Sequence, residues 1–235
     1  MNTIRRRGSH AEKPFYTESD IERIAVEELL SVDLLPSSPE PIRIERFVEK
    51  RFRLDQVCYE DLPARVLGYT QFGQKGVEAI FISRRLADDR SGVSERRISS
   101  TLAHEAGHGL LHGYLFMLDS FPMKLFEDDK DVSPAQILCR DGPTDRLKRP
   151  AYDGRWWEYQ ANRMIGALLL PKPLVIAAVG PLLSPNGELG VPTLADELRL
   201  RAATHLADVF DVNRAVAEIR LQGLYPRVSI DQLTL

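Results

Sequence analysis

The stretch TLAHEAGHGLLH, residues 101–112, constrains the fold more than any other segment of this chain. Its pattern predicts a helix from about Glu95 to Leu111 with Ser94 as the cap. Ile98, Leu102, Ala106 and Leu110 form an apolar stripe, while His104, His108 and His112 form a second stripe roughly opposite. Such a helix needs an apolar layer, expected to be a sheet, against one face and a cleft along the other. At 3.6 residues per turn, His104 and His108 stand one turn apart, where two imidazoles can converge on a single ion. Glu105 lies one position round the helix and can reach water at that ion without ligating it. His112 stands about 12 Å along the axis from His104. Ligands to one zinc, each at roughly 2.1 Å from it, cannot span that distance, so His112 is expected beside the ligands. The bland alternative places all three histidines on an ordinary polar face.

A His-Glu-x-x-His helix supplies two ligands and leaves the third to another element. Leu111 and Tyr114 stand where a longer His-Glu-x-x-His-x-x-Gly-x-x-His pattern would place its Gly and third His. Glu158, in the helical stretch WWEYQANRM, is the best candidate. Asn162 follows it four residues later on the same face, where its side-chain oxygen suits the outer N–H of a ligating histidine. Ala161, Gly166 and Ala167 make this second helix slim enough to approach the first closely. Alone, Glu158 beside two tryptophans would more often be a boundary carboxylate satisfied by a hydrogen bond, and the site on the first helix reverses that preference.

With 235 residues, 43% hydrophobic and 28% charged, the chain can bury one sizeable core with a smaller appended element. TESDIERIAVEELL predicts an amphipathic helix capped by Thr17 or Ser19. Pro41 suits the first turn of a second, IRIERFVEKRF. ARVLGYTQF and VEAIFIS, separated by GQKG, predict a β-hairpin, the one clear sheet signal. Residues 113–157 form a long mixed segment. Trp157, Ala161, Met164 and Leu168 recur at helical spacing until Pro171 and Pro173. Beyond the linker SPNGELGVP, TLADELRLRAATHLADVF and NRAVAEIRLQGL predict two more helices joined by a short DV turn. The expected class is α+β: a small twisted sheet packed on the histidine helix, a second ligand-bearing helix, and helices elsewhere. The expected organisation is a helical segment over 1–62, a core over 63–182 and a helical, helix-turn-helix-like subdomain over 183–235.

Composition also excludes. No run approaches the roughly 20 apolar residues of a membrane span, and MNTIRRRGSHAEKP lacks a secretory pattern. Cys58 and Cys139 show no paired ligand spacing, which argues against a thiolate zinc ribbon and fits a reducing, cytoplasmic setting. The net charge is −3, and Arg5, Arg6 and Arg7 read as a solvated tail. From Gly190 onward, Arg199, Arg201, Arg214, Arg220 and Arg227 are offset by Asp196, Glu197, Asp208, Asp211, Glu218 and Asp231, a poor balance for a phosphate-facing surface.

The run GYTQF, VEAIFISRRL, RRISSTLAHEAGHGLLH and WWEYQANRMIGALLLP resembles the ImmA/IrrE family of zinc metallopeptidases over about residues 20–225. Members of that family show a hairpin, a TLAHELGH-like helix, and then E-x-x-AN followed by LLMP. The tail LADVFDVNRAVAEIRLQGL is similar to the family's ending. The resemblance implies one zinc ion per chain bound by His104, His108 and Glu158, Glu105 as catalytic acid/base, and a minimal gluzincin-like fold. It also implies a protein substrate, a helix-turn-helix transcriptional repressor cut to relieve repression under stress. Ala106 stands for a common Leu or Ile, Gly166 for Ala or Phe, and residues 113–157 are a long insertion that leaves the shape of the cleft open.

On that reading three protein ligands leave one tetrahedral position for water, and Glu105 accepts its proton and later passes it to the leaving amine. Tyr114, Tyr152, Tyr159 and His205 are the candidate oxyanion donors. The substrate is expected as an added strand, with Val77–Ser83 or the strand beside it flanking the cleft. Two other readings compete: a metal-containing protein-binding regulator that does not cut, and a DNA-binding regulator using the last two helices. Cys139 reads as a buried free cysteine, with an inhibitory thiolate cap on the metal as the sharper alternative.

Overall fold

The computed structural model describes residues 2–4, 13–73, 75–114, 136–140, 156–184 and 192–227; for the strands at 2–4, 13–15 and 136–140 it describes the backbone alone. The fold is α+β. In chain order the elements are β1 (Asn2–Ile4), β2 (Lys13–Phe15), α1 (Glu18–Ser31), α2 (Ile44–Phe52), β3 (Cys58–Glu60), β4 (Val66–Gly73), β5 (Gly76–Ser83), α3 (Arg84–Asp88), α4 (Gly92–His112), β6 (Gln136–Arg140), α5 (Trp156–Leu169), α6 (Lys172–Val179), a 3-10 turn (Gly180–Leu182), α7 (Asp196–Phe210) and α8 (Arg214–Leu224).

The expected hairpin is present as β4 and β5, paired antiparallel from Gly68 opposite Ile82 to Gly73 opposite Gly76. Gly76 has φ +115°, a conformation that favours glycine at this turn. The sheet is larger than the sequence signalled. Its order is β3-β5-β4-β6, with β3 parallel to β5 and β6 antiparallel to β4. A three-residue strand and a strand inside a mixed segment give no detectable alternation, and they pair because the hairpin offers them edges.

Several helix boundaries differ from expectation for local reasons. α4 starts at Gly92, and its cap is Ser91, whose side chain accepts from the Ser94 N–H; Ser94 instead donates its hydroxyl to Asp89. α2 starts at Ile44, leaving Pro41 before the helix. Pro171 ends one helix and stands as N-cap of the next, with Pro173 in the first turn of α6. Thr17 caps α1 in a reciprocal box with Asp20.

The longest helix, α4, lies at the centre of the packing. It touches β4 and β5, α2 and α3, and most extensively α5. Residues 101–108 are all buried, so neither stripe faces an open cleft. Gly107 makes the approach to α5 possible: a Cβ there would lie 2.9 Å from the Met164 Cβ and 3.1 Å from the Ala161 Cα. Ala161 thus does what its size suggested. Gly166 does not: a Cβ there would meet Arg220 at 3.2 Å, so this glycine makes room for α8 instead.

One buried apolar cluster runs through the three expected segments, from Ile21, Ala25 and Leu29 through Ile80, Ile82, Leu102 and Met164 to Leu206, Phe210 and Leu221. Arg220, only 8% exposed, ties the chain's two ends together: Nε donates to the Leu170 carbonyl at 2.9 Å, and the guanidinium clasps the Glu22 carboxylate, with Nη2 to Oε2 at 2.7 Å. Among the described residues no single helix is long and apolar enough to cross a membrane.

Arg220→Met should cost about 3 kcal/mol, toward the low end for a broken buried pair because Glu22 keeps a fifth of its side chain exposed. Urea unfolding followed by circular dichroism measures it; a loss under about 0.5 kcal/mol would show that Arg220 does not join the N- and C-terminal helices energetically.

Candidate metal centre

His104 and His108 lie one turn apart on α4, and Glu158 reaches them from the first turn of α5. The two Nε2 atoms are 3.0 Å apart. Glu158 Oε2 lies 3.3 Å from His104 Nε2, and Oε1 lies 3.6 Å from His108 Nε2. One ligand atom from each of the three residues lies within 4.8 Å of the others, so the group could hold a metal ion. His104 is 3% and His108 0% exposed, whereas 22% of the Glu158 side chain remains accessible and Asn162 beside it is exposed. The group therefore opens to solvent past α5.

The outer nitrogens fix how the rings are protonated. Gln160 Nε2 donates to the Tyr16 carbonyl at 3.4 Å, and a carbonyl can only accept. That turns Gln160 Oε1 toward His112 Nε2, 3.1 Å away, which must donate. His112 Nδ1 is then a lone pair, and it accepts from His108 Nδ1 at 3.1 Å. His108 is left with its Nε2 lone pair pointing inward. Asn162 Oδ1, 3.1 Å from His104 Nδ1, does the same for the other ring. Two inward lone pairs 3.0 Å apart beside a carboxylate repel unless a cation stands among them. An N–H fixed on the outer side of each ring is how proteins orient histidine toward a metal.

Charge and burial act in the same sense. Burial, followed by the neighbouring histidines His104 and His112, holds His108 well below the usual histidine range. Burial brings His112 down to about 3 against the Gln160 hydrogen bond, which favours the neutral ring that the relay requires. Burial also opposes a charge on His104, but the hydrogen bond and charge of Glu158 outweigh it and raise this ring. His104 is thus the ring on which Glu158 favours positive charge.

Glu105 is 0% exposed and turns toward the sheet. Its Oε2 accepts from the Thr70 hydroxyl at 2.6 Å, and that hydroxyl also lies 3.2 Å from the Glu105 carbonyl oxygen. Oε1 has no hydrogen-bond partner. Burial pushes the carboxyl up to about 8, against the lowering effects of His104 and Thr70. A buried carboxylate oxygen without a donor is costly.

His104, His108 and Glu158 are brought together, with Asn162 against His104 and His112 against His108, while the Glu105 carboxyl is held by Thr70 on the sheet side. Gln160, Thr70 and Tyr16 were not anticipated. Gln160 lies two residues from both Glu158 and Asn162, off the face those two share. Thr70 sits in the buried run Gly68, Tyr69 and Thr70, where no alternation marks the inward residue. Of the oxyanion candidates, Tyr159 binds Glu18 and Arg163, and His205 is exposed on α7. The Tyr114 hydroxyl is buried with no hydrogen bond, while Tyr152 lies outside the described residues. Cys139 has its backbone in β6 opposite Gly68, and its side chain lies outside what is described.

No protein-family model matches this chain, and no curated protein matches it.

If the relay orients His108, Gln160→Leu should weaken divalent-metal binding about 10- to 100-fold while Gln160→Glu, which keeps an acceptor oxygen, loses less. Competition with a chromophoric chelator reads the affinity. Equal affinities for Gln160→Leu and the wild type would show that the relay has no hold on the metal.

Proposed function

We propose that this chain is a zinc-dependent endopeptidase of the kind its sequence resembles, acting on a protein substrate in the cytoplasm. The observation that carries the reading is the orphaned Oε1 of buried Glu105, on the same helix as the two histidines that converge with Glu158. A closed structural zinc site uses four protein ligands and needs no such carboxylate. Among the described residues the cluster has three members, the number found where a position is kept for substrate or water.

The donor set of two imidazoles and a carboxylate fits zinc. When bound, zinc supplies Lewis acidity to a peptide carbonyl and lowers the pKa of water. The protein's own part is positional and acid–base. His108, held by His112 and Gln160, and His104, held by Asn162, keep their inner lone pairs aimed at one point. Thr70 holds Glu105 Oε2, which leaves Oε1 to take a proton from water and return it to the leaving amine. Peptide bonds match these parts: water attacks the carbonyl carbon, the C–N bond breaks, and the nitrogen leaves with the proton Glu105 carried.

A helix-turn-helix repressor as substrate rests on the family resemblance alone. Burial of His104, Glu105 and His108 favours a second reading, a metal-containing binding module that holds its partner without cutting it. Direct DNA binding by α7 and α8 has less support: Arg199, Arg214, Arg220 and Arg227 pair with Asp196, Glu218, Glu22 and Asp196.

The test is metal content and cleavage of a co-encoded repressor. The wild type and Glu105→Gln should each hold about one zinc per chain, with cleavage falling at least a thousandfold in the mutant. Glu158→Ala should lose most metal affinity. Full cleavage by Glu105→Gln would sink the mechanism, and tight zinc in Glu158→Ala would remove the third ligand.

A further inference from the structure

The strand nearest Glu105 is β4, through Thr70, and its outer edge is occupied. β6 lies antiparallel along it from Val66 opposite Arg140 to Gln71 opposite Gln136, with Ile137 opposite Thr70. β6 is unlike the rest of the sheet in origin. β3, β4 and β5 precede α4 and follow one another closely in sequence, whereas β6 comes from between the two ligand-bearing helices. Residues 115–135 and 141–155 join it to α4 and α5. The ladder is also imperfect, since the register shifts between Val66 and Gly68.

An added strand is a general way for a sheet edge to take an extended peptide: main-chain hydrogen bonds give affinity and alternate side chains give selectivity. Strands pair about 4.7–4.9 Å apart, so a peptide on β4 would run within one strand spacing of the residue that holds Glu105. The other edge is less suited. β3 covers β5 only at Phe81, Ile82 and Ser83, and the remainder of β5 lies on the far side of β4 from β6.

We infer that the outer edge of β4 is the acceptor site for an extended, apolar-centred protein segment, and that β6 fills it in cis. An incoming segment must therefore displace Gln136–Arg140 before it reaches Glu105. The QILCR sequence of β6 gives the occupant's chemistry: two central aliphatic residues, with a polar and a cationic residue at the ends. The peptide-binding part stands on the strand pairing alone, and its role in restraining cleavage rests on the peptidase reading above.

The experiment uses the full chain without metal, with Cys58→Ser and Cys139→Ser, and a fluorescent peptide spanning residues 134–142 that carries the same serine. Gln71→Cys with Gln136→Cys places two thiols on directly opposed residues of the ladder. Oxidation locks β6 down. Ile137→Gly with Leu138→Gly instead weakens the strand. Anisotropy should show the peptide binding the glycine variant at least tenfold tighter than the parent, and the oxidised double-cysteine variant not at all until it is reduced. Equal affinity in all three forms, or binding by the locked form, overturns the inference and leaves the peptidase reading untouched. With zinc restored, a glycine variant that binds the peptide but cleaves neither it nor repressor upholds the acceptor edge and sinks the peptidase reading. Faster cleavage in that variant, abolished by the lock, supports both.

Discussion

Two imidazole lone pairs held 3.0 Å apart, with a carboxylate against them, are the constraint around which this protein is built. Burial makes protonation of His108 expensive, and Glu158 favours a positive charge on His104 instead. The arrangement persists because α4 and α5 are clamped from outside the centre: Gly107 against Ala161 and Met164, with the core cluster on either side. Packing energy thus holds the ligands where their own electrostatics would part them. A site preorganised in this way asks little reorganisation of the protein when a cation enters, and that is the usual route to tight binding.

The same clamp accounts for the shape of the fold. α4 must satisfy the sheet through Thr70 and Glu105, α5 through Gly107 and the histidines, and α2 through Phe52, which crowds Gly109. A helix with so many obligations has no solvent face over 101–108. The cleft expected along the histidine stripe is therefore a buried seam whose accessible margin is Glu158 and Asn162.

Much of this was legible in the chain. The His104–His108 pair was readable because helical periodicity converts sequence spacing directly into geometry within an element, and the same rule set Asn162 on the face of Glu158, which was a candidate from a second helix. The hairpin was readable because β-branched runs flank a glycine turn. What escaped notice depends on contacts between elements. Gln160 matters through a residue on another helix, Thr70 through a strand buried on both faces, and Gly166 through an arginine 54 positions away at 220. β6 was hidden because five residues in a mixed segment carry no periodic signal of their own. Ser91 displaced Ser94 as the cap because Ser94 is already held by Asp89.

The hydrogen-bond relay behind His108 ends on the main-chain carbonyl of Tyr16. A side chain at its end could be lost by one base change; a carbonyl is present whatever residue occupies position 16. The ring is thereby insulated from substitution at that position but tied to where the backbone ahead of α1 runs. Sequence drift there is tolerated as long as the path of the chain is kept, and a fusion partner or tag that pulls the segment aside would be felt at the centre although every residue of it remained intact.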